Sequence, residues 1–258
     1  MTEASARAGQ LDGAVALVTG SGAGLGRSYA IMLAARGAAV IVHDINAETA
    51  EDTASAIRKA GQRAWAIVND ITNVTQFKEM AGSIEREAGS IDVLVNNAGI
   101  DEGKLLEEIS EASFDRMFAV HVKGTFFATQ AIVPGMKRRK RGSIINISSI
   151  NGMIADSTDS HYNGAKAAIL GLTKAWAREL APWGIRVNAV APGHIVTAQT
   201  IARGQERMKR IIAERIPLKR YGEPDEVAHT VAFLASEESA FITGQVLSPN
   251  GGEAIVGI

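Results

Sequence analysis

Short apolar runs rich in β-branched residues alternate with longer amphipathic stretches along the whole chain. The pattern predicts strands at residues 14–19, 39–43, 63–68, 91–95, 143–147 and 186–190, and a last one near 245–247. It predicts helices over residues 25–36, 47–60, 74–88, 114–136, 162–180 and 224–235. Nearly continuous apolar strands are typical of a parallel sheet covered on both faces. We therefore predict an α/β fold: a single-domain Rossmann fold, with a doubly wound parallel sheet of about seven strands.

The chain of 258 residues shows no linker, low-complexity tract or internal repeat, so we expect one domain over residues 1–258. Within it we expect a flexible arm at residues 1–10 and a substrate loop at about 194–215. A net charge of −1 argues against a nucleic-acid partner, and the absence of cysteine excludes disulfides and thiolate catalysis. The five histidines show no metal-ligand spacing, and no metal is expected. Without a signal-like or membrane-spanning apolar run, the expectation is a cytoplasmic enzyme.

Tyr162 and Lys166 stand four residues apart, and Ser149 precedes the tyrosine by 13 residues. A helix places residues i and i+4 on one face, so the Lys166 ammonium can lie beneath the Tyr162 phenol. A phenol with a pKa of about 10 is a poor base at neutral pH. A cation about 4 Å away, at an effective dielectric constant of 20, supplies the ~4 kcal/mol needed to lower that pKa by three units, before the cost of desolvation is subtracted. The spacing predicts an acid/base site.

A glycine-rich turn, T-G-S-G-A-G-L-G, closes the first predicted strand and opens the first predicted helix. The spacing G-x-G-x-x-G fails because position 25 is leucine, and T-G-x3-G-x-G fits instead. Glycines allow close backbone approach to a pyrophosphate, which the free N–H groups at a helix start attract. The predicted phosphate site comprises Gly20, Ser21, Gly24, Leu25 and Gly26. The alternative is a turn whose glycines serve packing only.

Asp44 ends the second predicted strand, and Ile45 follows it. A carboxylate there accepts both hydroxyls of a ribose and repels a 2′-phosphate. No Arg or Lys lies between Gly20 and Gly26 or directly after Asp44 to neutralise such a phosphate. The prediction is therefore NAD(H) rather than NADP(H), with a solvated turn aspartate as the alternative.

Asp70 and Ile71 follow the third predicted strand, and N-N-A-G follows the fourth, bringing Asn97, Ala98 and Gly99. Ligands bind at the carboxyl ends of strands in this architecture, so these residues are candidate cofactor contacts. Ordinary turn chemistry is the alternative.

Taken together, these motifs resemble the short-chain dehydrogenase/reductase family over residues 11–252. The resemblance also rests on N-I-S-S, N-A-V-A-P-G-H-I-V-T, R-Y-G-E-P-D-E-V-A and I-T-G-Q-V-L-S-P-N-G-G. It implies that Tyr162 is the acid/base, that Ser149 rather than Ser148 binds the substrate oxygen, and that Lys166 lowers the tyrosine pKa and holds the nicotinamide ribose. It further implies adenine contact by Asp70 and nicotinamide contacts by Pro192, Gly193, Ile195 and Thr197.

One position departs from the family pattern. The family commonly has V-N-x-x-G where this chain has V-H-V-K-G, so His121 replaces an asparagine that supports a proton relay to the lysine. An imidazole can donate and accept a hydrogen bond, so we expect His121 to serve the relay in its neutral form beside Lys166. Because imidazole titrates near neutrality, a different pH behaviour is expected. Together with G-A-G-L-G-R-S-Y-A, this histidine is similar to the hydroxyacyl-CoA dehydrogenase branch.

The expected reaction is NAD-dependent interconversion of a small secondary alcohol and a ketone, with no membrane partner. The alternatives are a 3-oxoacyl-carrier-protein reductase, which usually prefers NADPH, a 3-hydroxyacyl-CoA dehydrogenase, and a non-catalytic NAD(H)-binding sensor. Arg203, Arg207, Lys209 and Arg210 in the substrate loop either meet an anionic substrate or, as we favour, form a solvated helix face. The basic run K-R-R-K-R at 137–141 is likewise interpreted as solvated. The resemblance also implies a homotetramer, consistent with apolar Phe126, Phe127, Ile169 and Leu172 on two helices.

Overall fold

The computed structural model describes residues 10–256, and its seven strands form one parallel sheet. The strands are β1 (Val15–Thr19), β2 (Ala39–Asp44), β3 (Ala64–Val68), β4 (Val93–Asn96), β5 (Gly142–Ile147), β6 (Ile185–Val190) and β7 (Val246–Leu247). Their order across the sheet is β3-β2-β1-β4-β5-β6-β7. The chain reverses direction across the sheet between β1 and β4, which opens a crevice at their carboxyl ends. The predicted single Rossmann fold is confirmed.

Helices cover both faces of the sheet. They are α1 (Gly24–Ala35), α2 (Ala47–Lys59), α3 (Val74–Glu87), α4 (Glu111–Phe118), α5 (Thr125–Arg139), α6 (Ser160–Leu180), α7 (Ala198–Ala202), α8 (Gln205–Glu214) and α9 (Pro224–Ala235). Helices α1, α2 and α9 share one apolar core, and α3, α5 and α6 share the other. Alternate residues of β1 serve the two cores: Val18 packs with the first set and Leu17 with the second. None of the helices in residues 10–256 has both the length and the apolar character needed to cross a membrane.

A line of buried amides and hydroxyls ties α6 to the sheet. The Asn96 side-chain amide donates to the Asn146 side-chain oxygen at 2.9 Å, and the Asn146 amide donates to the Thr173 hydroxyl at 2.9 Å. Each group is buried, so satisfying its hydrogen bonds restricts it to one arrangement. The line fixes the helix that carries Tyr162 and Lys166 against the carboxyl end of β5.

Three sequence-based expectations need correction. The predicted continuous helix over 114–136 is α4 and α5 joined by a π-helical segment at Ala119–Gly124, which contains His121. The predicted substrate loop at 194–215 contains α7 and α8. Ile169 does not face outwards, because its side chain is buried in the core. Apart from Gln10, the expected flexible arm lies outside the described residues.

The basic run at 137–141, which begins in the last turn of α5, is only partly solvated. Arg141 donates to the Asp92 carboxylate at 2.9 Å, and Arg139 donates to the Ile91 carbonyl at 2.6 Å. The other oxygen of Asp92 accepts the amide hydrogen of Val15 at 3.0 Å. Arg139 and Arg141 therefore attach the C-terminal end of α5 to the starts of β1 and β4.

Candidate active site

A cleft of about 1020 Å³ lies over the carboxyl ends of the strands. Gly20, Asp44 and Arg203 line its walls, and Tyr162 and Lys166 line its floor. The crevice position is the one that the strand order dictates. Its size suits an extended ligand with room for a second, smaller molecule.

The glycine-rich turn needs glycine at two positions because the loop after β4 presses against it. Gly20 has φ +63°, and a Cβ there would lie 2.8 Å from the Ala98 Cα. A Cβ on Gly26 would lie 2.1 Å from the Gly20 carbonyl oxygen. The Asn97 amide donates to the carbonyls of Thr19 and Gly20, both at 2.9 Å, which clamps the turn in place. Gly20 and Gly26 therefore do serve packing, the role given above as the alternative. The turn that they form also lines the cleft.

The start of α1 is open to a phosphate-bearing ligand. Its first residue is preceded by Ala23, which offers no side-chain hydrogen bond to the free N–H groups. Such uncapped groups attract anions. Gly24 and Leu25 line the cleft beside them, whereas the Ser21 hydroxyl turns inwards and donates to the Val18 carbonyl at 2.7 Å. Of the five residues predicted for the phosphate site, Ser21 is the one that does not line the cleft, and the open N–H groups of the turn fit the phosphates of a dinucleotide.

Asp44 stands at the end of β2 with both carboxylate oxygens held. Oδ2 accepts the Gly22 amide hydrogen at 2.8 Å, and Oδ1 accepts that of Asn46 at 3.0 Å. Among the described cleft residues, none from the glycine-rich turn or from the loops after β2 and β3 is Lys or Arg. A fixed negative charge without a neighbouring cation suits a ribose diol better than a 2′-phosphate.

The remaining predicted adenosine contacts also line the cleft. Ile45 is 68% exposed, and Ile71 is buried. The Asp70 carboxylate accepts the amide and hydroxyl hydrogens of Thr72, each at 2.8 Å, so one of its oxygens does serve a turn. Gly99 lies against the His121 ring, where a Cβ would come within 2.5 Å of Cε1.

Lys166 and Tyr162 meet on the cleft floor. The Lys166 side chain is buried, donates to the Ile147 carbonyl at 2.8 Å and places Nζ 5.6 Å from the centre of the Tyr162 ring. Ser149 lines the cleft, where its hydroxyl oxygen accepts the Asn151 amide hydrogen at 3.1 Å. The Ser148 hydroxyl instead donates to the Lys166 carbonyl at 2.8 Å. Ser149 is thus the serine available to a substrate.

Burial shifts the pKa values of both floor residues. It raises the pKa of Tyr162 to about 12, although hydrogen bonding by Ser149 acts in the opposite direction. It lowers the pKa of Lys166 to about 8. The expected lowering of the tyrosine pKa by Lys166 is not found in the protein alone, because removal from water opposes the phenolate more strongly.

His121 packs edge-on against Tyr162, with ring centres 5.4 Å apart. Its Nε2 lies 3.0 Å from the amide nitrogen of Ile100 and 2.8 Å from the carbonyl oxygen of the same residue. Burial, followed by the charge of Lys166, lowers the pKa of His121 to about 3. The imidazole is therefore neutral near pH 7, as expected, but it does not titrate there, and the expected pH behaviour near neutrality is wrong.

The loop after β6 forms the remaining wall. Pro192, Gly193, Ile195 and Thr197 all line the cleft. A Cβ on Gly193 would lie 2.8 Å from the Asn250 Cα, and Ile195 forms a parallel bridge with Gly222. The Thr197 hydroxyl oxygen accepts the Thr200 amide hydrogen at 3.2 Å and so caps α7.

Two acidic residues of the site were missed in the sequence. Asp101, directly after N-N-A-G-I, forms an ion pair with Arg203 and accepts a hydrogen bond from Gln199 at 3.2 Å. Asp159 accepts the amide hydrogens of Gly103 and Lys104, both at 2.8 Å, and joins this loop to the start of α6. The position of Asp101 at a strand end was the available signal, but its partner lies 102 residues away.

Comparison with known proteins places these motifs in a family. Residues 20–253 match a family model described as enoyl-(acyl carrier protein) reductase. The 3-oxoacyl-[acyl-carrier-protein] reductase FabG of Thermotoga maritima is 40% identical over 246 residues, 95% of this chain and 100% of the relative. The enzyme of that name from Staphylococcus epidermidis is 43% identical over 238 residues, 92% and 97% of the two chains.

A third relative carries a different name. The (2S)-[(R)-hydroxy(phenyl)methyl]succinyl-CoA dehydrogenase subunit BbsD of Thauera aromatica is 40% identical over 241 residues, 93% of this chain and 96% of the relative. Similarity of this extent to named oxidoreductases indicates an enzyme rather than the alternative of a non-catalytic sensor. The chain is an oxidoreductase and belongs to the short-chain dehydrogenase/reductase family.

Proposed function

We propose that this enzyme interconverts a secondary alcohol and a ketone with NAD(H), using Tyr162 as its acid/base group. The observation that carries the proposal is the meeting of Tyr162, Lys166 and Ser149 on the floor of the cleft. The Lys166 ammonium lies 5.6 Å from the centre of the Tyr162 ring. The Ser149 hydroxyl opens onto the same space. Bound at the glycine-rich turn, NAD(H) would accept or supply the hydride.

Each side chain has a distinct task in this proposal. In the reduction direction, the Tyr162 hydroxyl donates its proton to the carbonyl oxygen of the substrate, and Ser149 donates a hydrogen bond to the same oxygen. Lys166 is held by the Ile147 carbonyl at 2.8 Å, from where its positive charge stabilises the phenolate left behind. In the oxidation direction, Tyr162 removes the proton from the alcohol.

The choice of NAD(H) over NADP(H) is supported by Asp44. Gly22 and Asn46 hold its carboxylate at distances of 2.8 and 3.0 Å, so it is not free to turn away from a ribose. A 2′-phosphate in this place would meet a fixed negative charge without an Arg or Lys from the neighbouring cleft segments.

An acyl thioester is the second candidate substrate class. It is favoured by relatives named for 3-oxoacyl-carrier-protein reduction and for oxidation of a hydroxylated acyl-CoA. The two activities differ in cofactor preference: a carrier-protein reductase is expected to use NADPH, which Asp44 opposes. Rates with 3-oxoacyl thioesters, simple ketones and hydroxysteroids, each with NADH and NADPH, separate these candidates.

The test of the acid/base assignment is Tyr162→Phe, which removes one hydroxyl from the cleft floor. Its kcat should fall by at least about 10³-fold, while NADH affinity, measured by fluorescence titration, should change by only a few-fold. Tyr29→Phe is the matched control, since the Tyr29 hydroxyl is buried outside the cleft and has no hydrogen-bond partner within residues 10–256. A Tyr162→Phe enzyme with more than a tenth of wild-type kcat disproves the assignment.

A further inference from the structure

Two arginines from the segment after β6 line the cleft. Arg203 directly follows α7, and Arg207 lies in the first turn of α8. Helix α8 is anchored by Met208, Ile211 and Ile212, which pack in a small apolar cluster. At 100° per residue, Arg207 lies at the edge of that anchored face, so the helix presents it to the cleft. Two of the four basic residues that we expected to form a solvated helix face, Arg203 and Arg207, therefore line the cleft.

The acidic residues near these arginines already have hydrogen-bond or ion-pair partners. The pair of Asp101 with Arg203 is the one that a ligand can replace. Asp156 and Glu253 pair with Arg215, and Asp159 accepts two backbone amides. Arg207 forms no ion pair with any other residue in the range 10–256 that the structure describes. The rim thus carries one arginine charge without a neutralising carboxylate.

Asp101 forms an ion pair with the second arginine, Arg203, and an anionic ligand can take the place of Asp101 in that pair. Arg203 and Asp101 form an ion pair at the cleft rim, and 37% of the Arg203 side chain remains exposed. Burial raises the pKa of Asp101, with Arg203 acting against that shift. When Arg203 turns to another anion, the Gln199 side-chain amide, which donates to Asp101 at 3.2 Å, remains as a partner of the carboxylate.

The pair lies close to the reacting position. The charges of Asp101 and Arg203 both act on the pKa of Tyr162, the aspartate raising it and the arginine lowering it. Asp101 directly follows Ile100, whose amide nitrogen and carbonyl oxygen lie 3.0 and 2.8 Å from Nε2 of His121. The centre of the His121 ring is 5.4 Å from that of the Tyr162 ring. A substrate whose carbonyl meets Tyr162 thus brings atoms a few bonds away into reach of Arg203.

We propose that Arg203 and Arg207 bind a carboxylate of the substrate, located a few bonds from the carbon that is oxidised or reduced. This inference rests on the proposed alcohol/ketone function and specifies its substrate class. Arginine suits the task because its planar guanidinium forms paired hydrogen bonds with a carboxylate. The phosphate of a thioester carrier is the other source of an anion, but its long pantetheine arm places that phosphate far from the reacting carbon.

Binding tests the proposal without turnover. The probes are 4-oxopentanoate and its methyl ester, which share the ketone and differ in charge, and 4′-phosphopantetheine, each titrated by calorimetry. Wild-type protein should bind the acid about tenfold or more tightly than the ester. Arg207→Ala should remove most of that preference, whereas Arg210→Ala should keep it, because Arg210 is an exposed residue of α8 that does not line the cleft.

A variant that should gain affinity for the acid gives a stricter test than one that should lose it. Asp101→Asn releases Arg203 from its ion pair and should tighten binding of the acid but not of the ester. Equal binding of acid and ester, no binding of the acid at millimolar concentration, or equal losses in the Arg207 and Arg210 variants overturns the proposal. Binding of 4′-phosphopantetheine alone through Arg207 assigns the arginines to a carrier phosphate instead.

Turnover separates this proposal from the one on which it rests. With NADH or NADPH, reduction of the acid with a higher kcat/KM than the ester supports both. Equal reduction of the two leaves the alcohol/ketone function standing and removes the carboxylate site. If no ketone or thioester is reduced while the acid still binds through Arg207, the alcohol/ketone function fails and the anion site stands.

Discussion

The amide of Gly22 donates to the carboxylate of Asp44 at 2.8 Å, which joins the glycine-rich turn to the end of β2. The residue proposed to choose the cofactor therefore also supports the turn that would hold the cofactor phosphates. Substitution of Asp44 should consequently affect both specificity and the shape of the turn.

We predict that wild-type enzyme favours NAD over NADP by at least about 100-fold in kcat/KM, equivalent to ~2.7 kcal/mol. Asp44→Ala should narrow that ratio by removing the charge, and it should lower Tm because Gly22 loses its partner. Asp44→Asn keeps an acceptor oxygen and should narrow the ratio with a smaller loss of Tm. Steady-state kinetics measure the cofactor ratio, and calorimetry measures Tm. Equal wild-type rates with the two cofactors would show that Asp44 does not determine the cofactor preference.

A second prediction concerns Gly26, where a Cβ would lie 2.1 Å from the Gly20 carbonyl oxygen. Gly26→Ala should displace the turn, lower Tm and weaken NADH binding by at least about tenfold. Gly171→Ala is the matched control, since within residues 10–256 no atom beyond the adjoining backbone of α6 lies within 4 Å of a Cβ at this position. It should leave NADH binding intact and raise stability by up to ~1 kcal/mol. Similar NADH affinity in both variants would contradict the close packing.

The pKa of His121 predicts an acid-sensitive fold. Burial keeps the imidazole neutral down to about pH 3. The unfolded chain, with an ordinary histidine pKa of about 6.5, binds a proton at higher pH. The free energy of unfolding that depends on neutral His121 is complete above pH 6.5 and falls as the pH drops towards 3, with a loss of about 2 kcal/mol at pH 5.

His121→Asn should remove this part of the pH dependence, which urea unfolding at pH 5 and pH 7.5 can measure. The acid limb of kcat/KM between pH 5.5 and 7 should be the same in both proteins, because the imidazole does not titrate there. His121→Ala should lower kcat if the residue serves a proton relay. A shift of the acid limb in His121→Asn contradicts the low pKa, and full kcat in His121→Ala restricts His121 to packing.

The homotetramer stays a prediction, and Phe126 offers its test. Phe126 is 38% exposed on α5 and lies 5.7 Å from the Trp176 ring centre, giving an aromatic patch across α5 and α6. Light scattering should give four times the chain mass of 27.2 kDa, and Phe126→Glu should reduce it. Ile31→Glu, at a comparably exposed apolar position on α1, should not. A monomeric wild-type protein at micromolar concentration excludes the assembly.

The strands could be predicted closely because a parallel strand buried on both faces is almost entirely apolar, as the first four residues of Val15–Thr19 are. The site residues of the glycine-rich turn and the Tyr162–Lys166 pair could also be located, since both depend on contacts within one turn or helix. The π-helical segment at Ala119–Gly124 could not, because one widened turn leaves no periodic pattern.

The ion pair between Asp101 and Arg203 and the direction of the Tyr162 pKa shift depend on tertiary packing. Arg203 reaches Asp101 only because α7 lies across the rim from the loop after β4. The spacing of Tyr162 and Lys166 gives the attraction between ammonium and phenolate, but the cost of removing the phenolate from water depends on the surrounding walls.

The raised pKa of Tyr162 and the lowered pKa of Lys166 determine the protonation state of the cleft floor in the unliganded enzyme. With the Tyr162 pKa near 12, the phenol keeps its proton at neutral pH when the protein is alone. Under the proposed assignment of Tyr162, the resting enzyme holds the proton that carbonyl reduction needs, whereas alcohol oxidation requires loss of that proton first. The two directions of the reaction then depend on pH in opposite ways. Acidification favours reduction of the ketone, and alkalinisation favours oxidation of the alcohol.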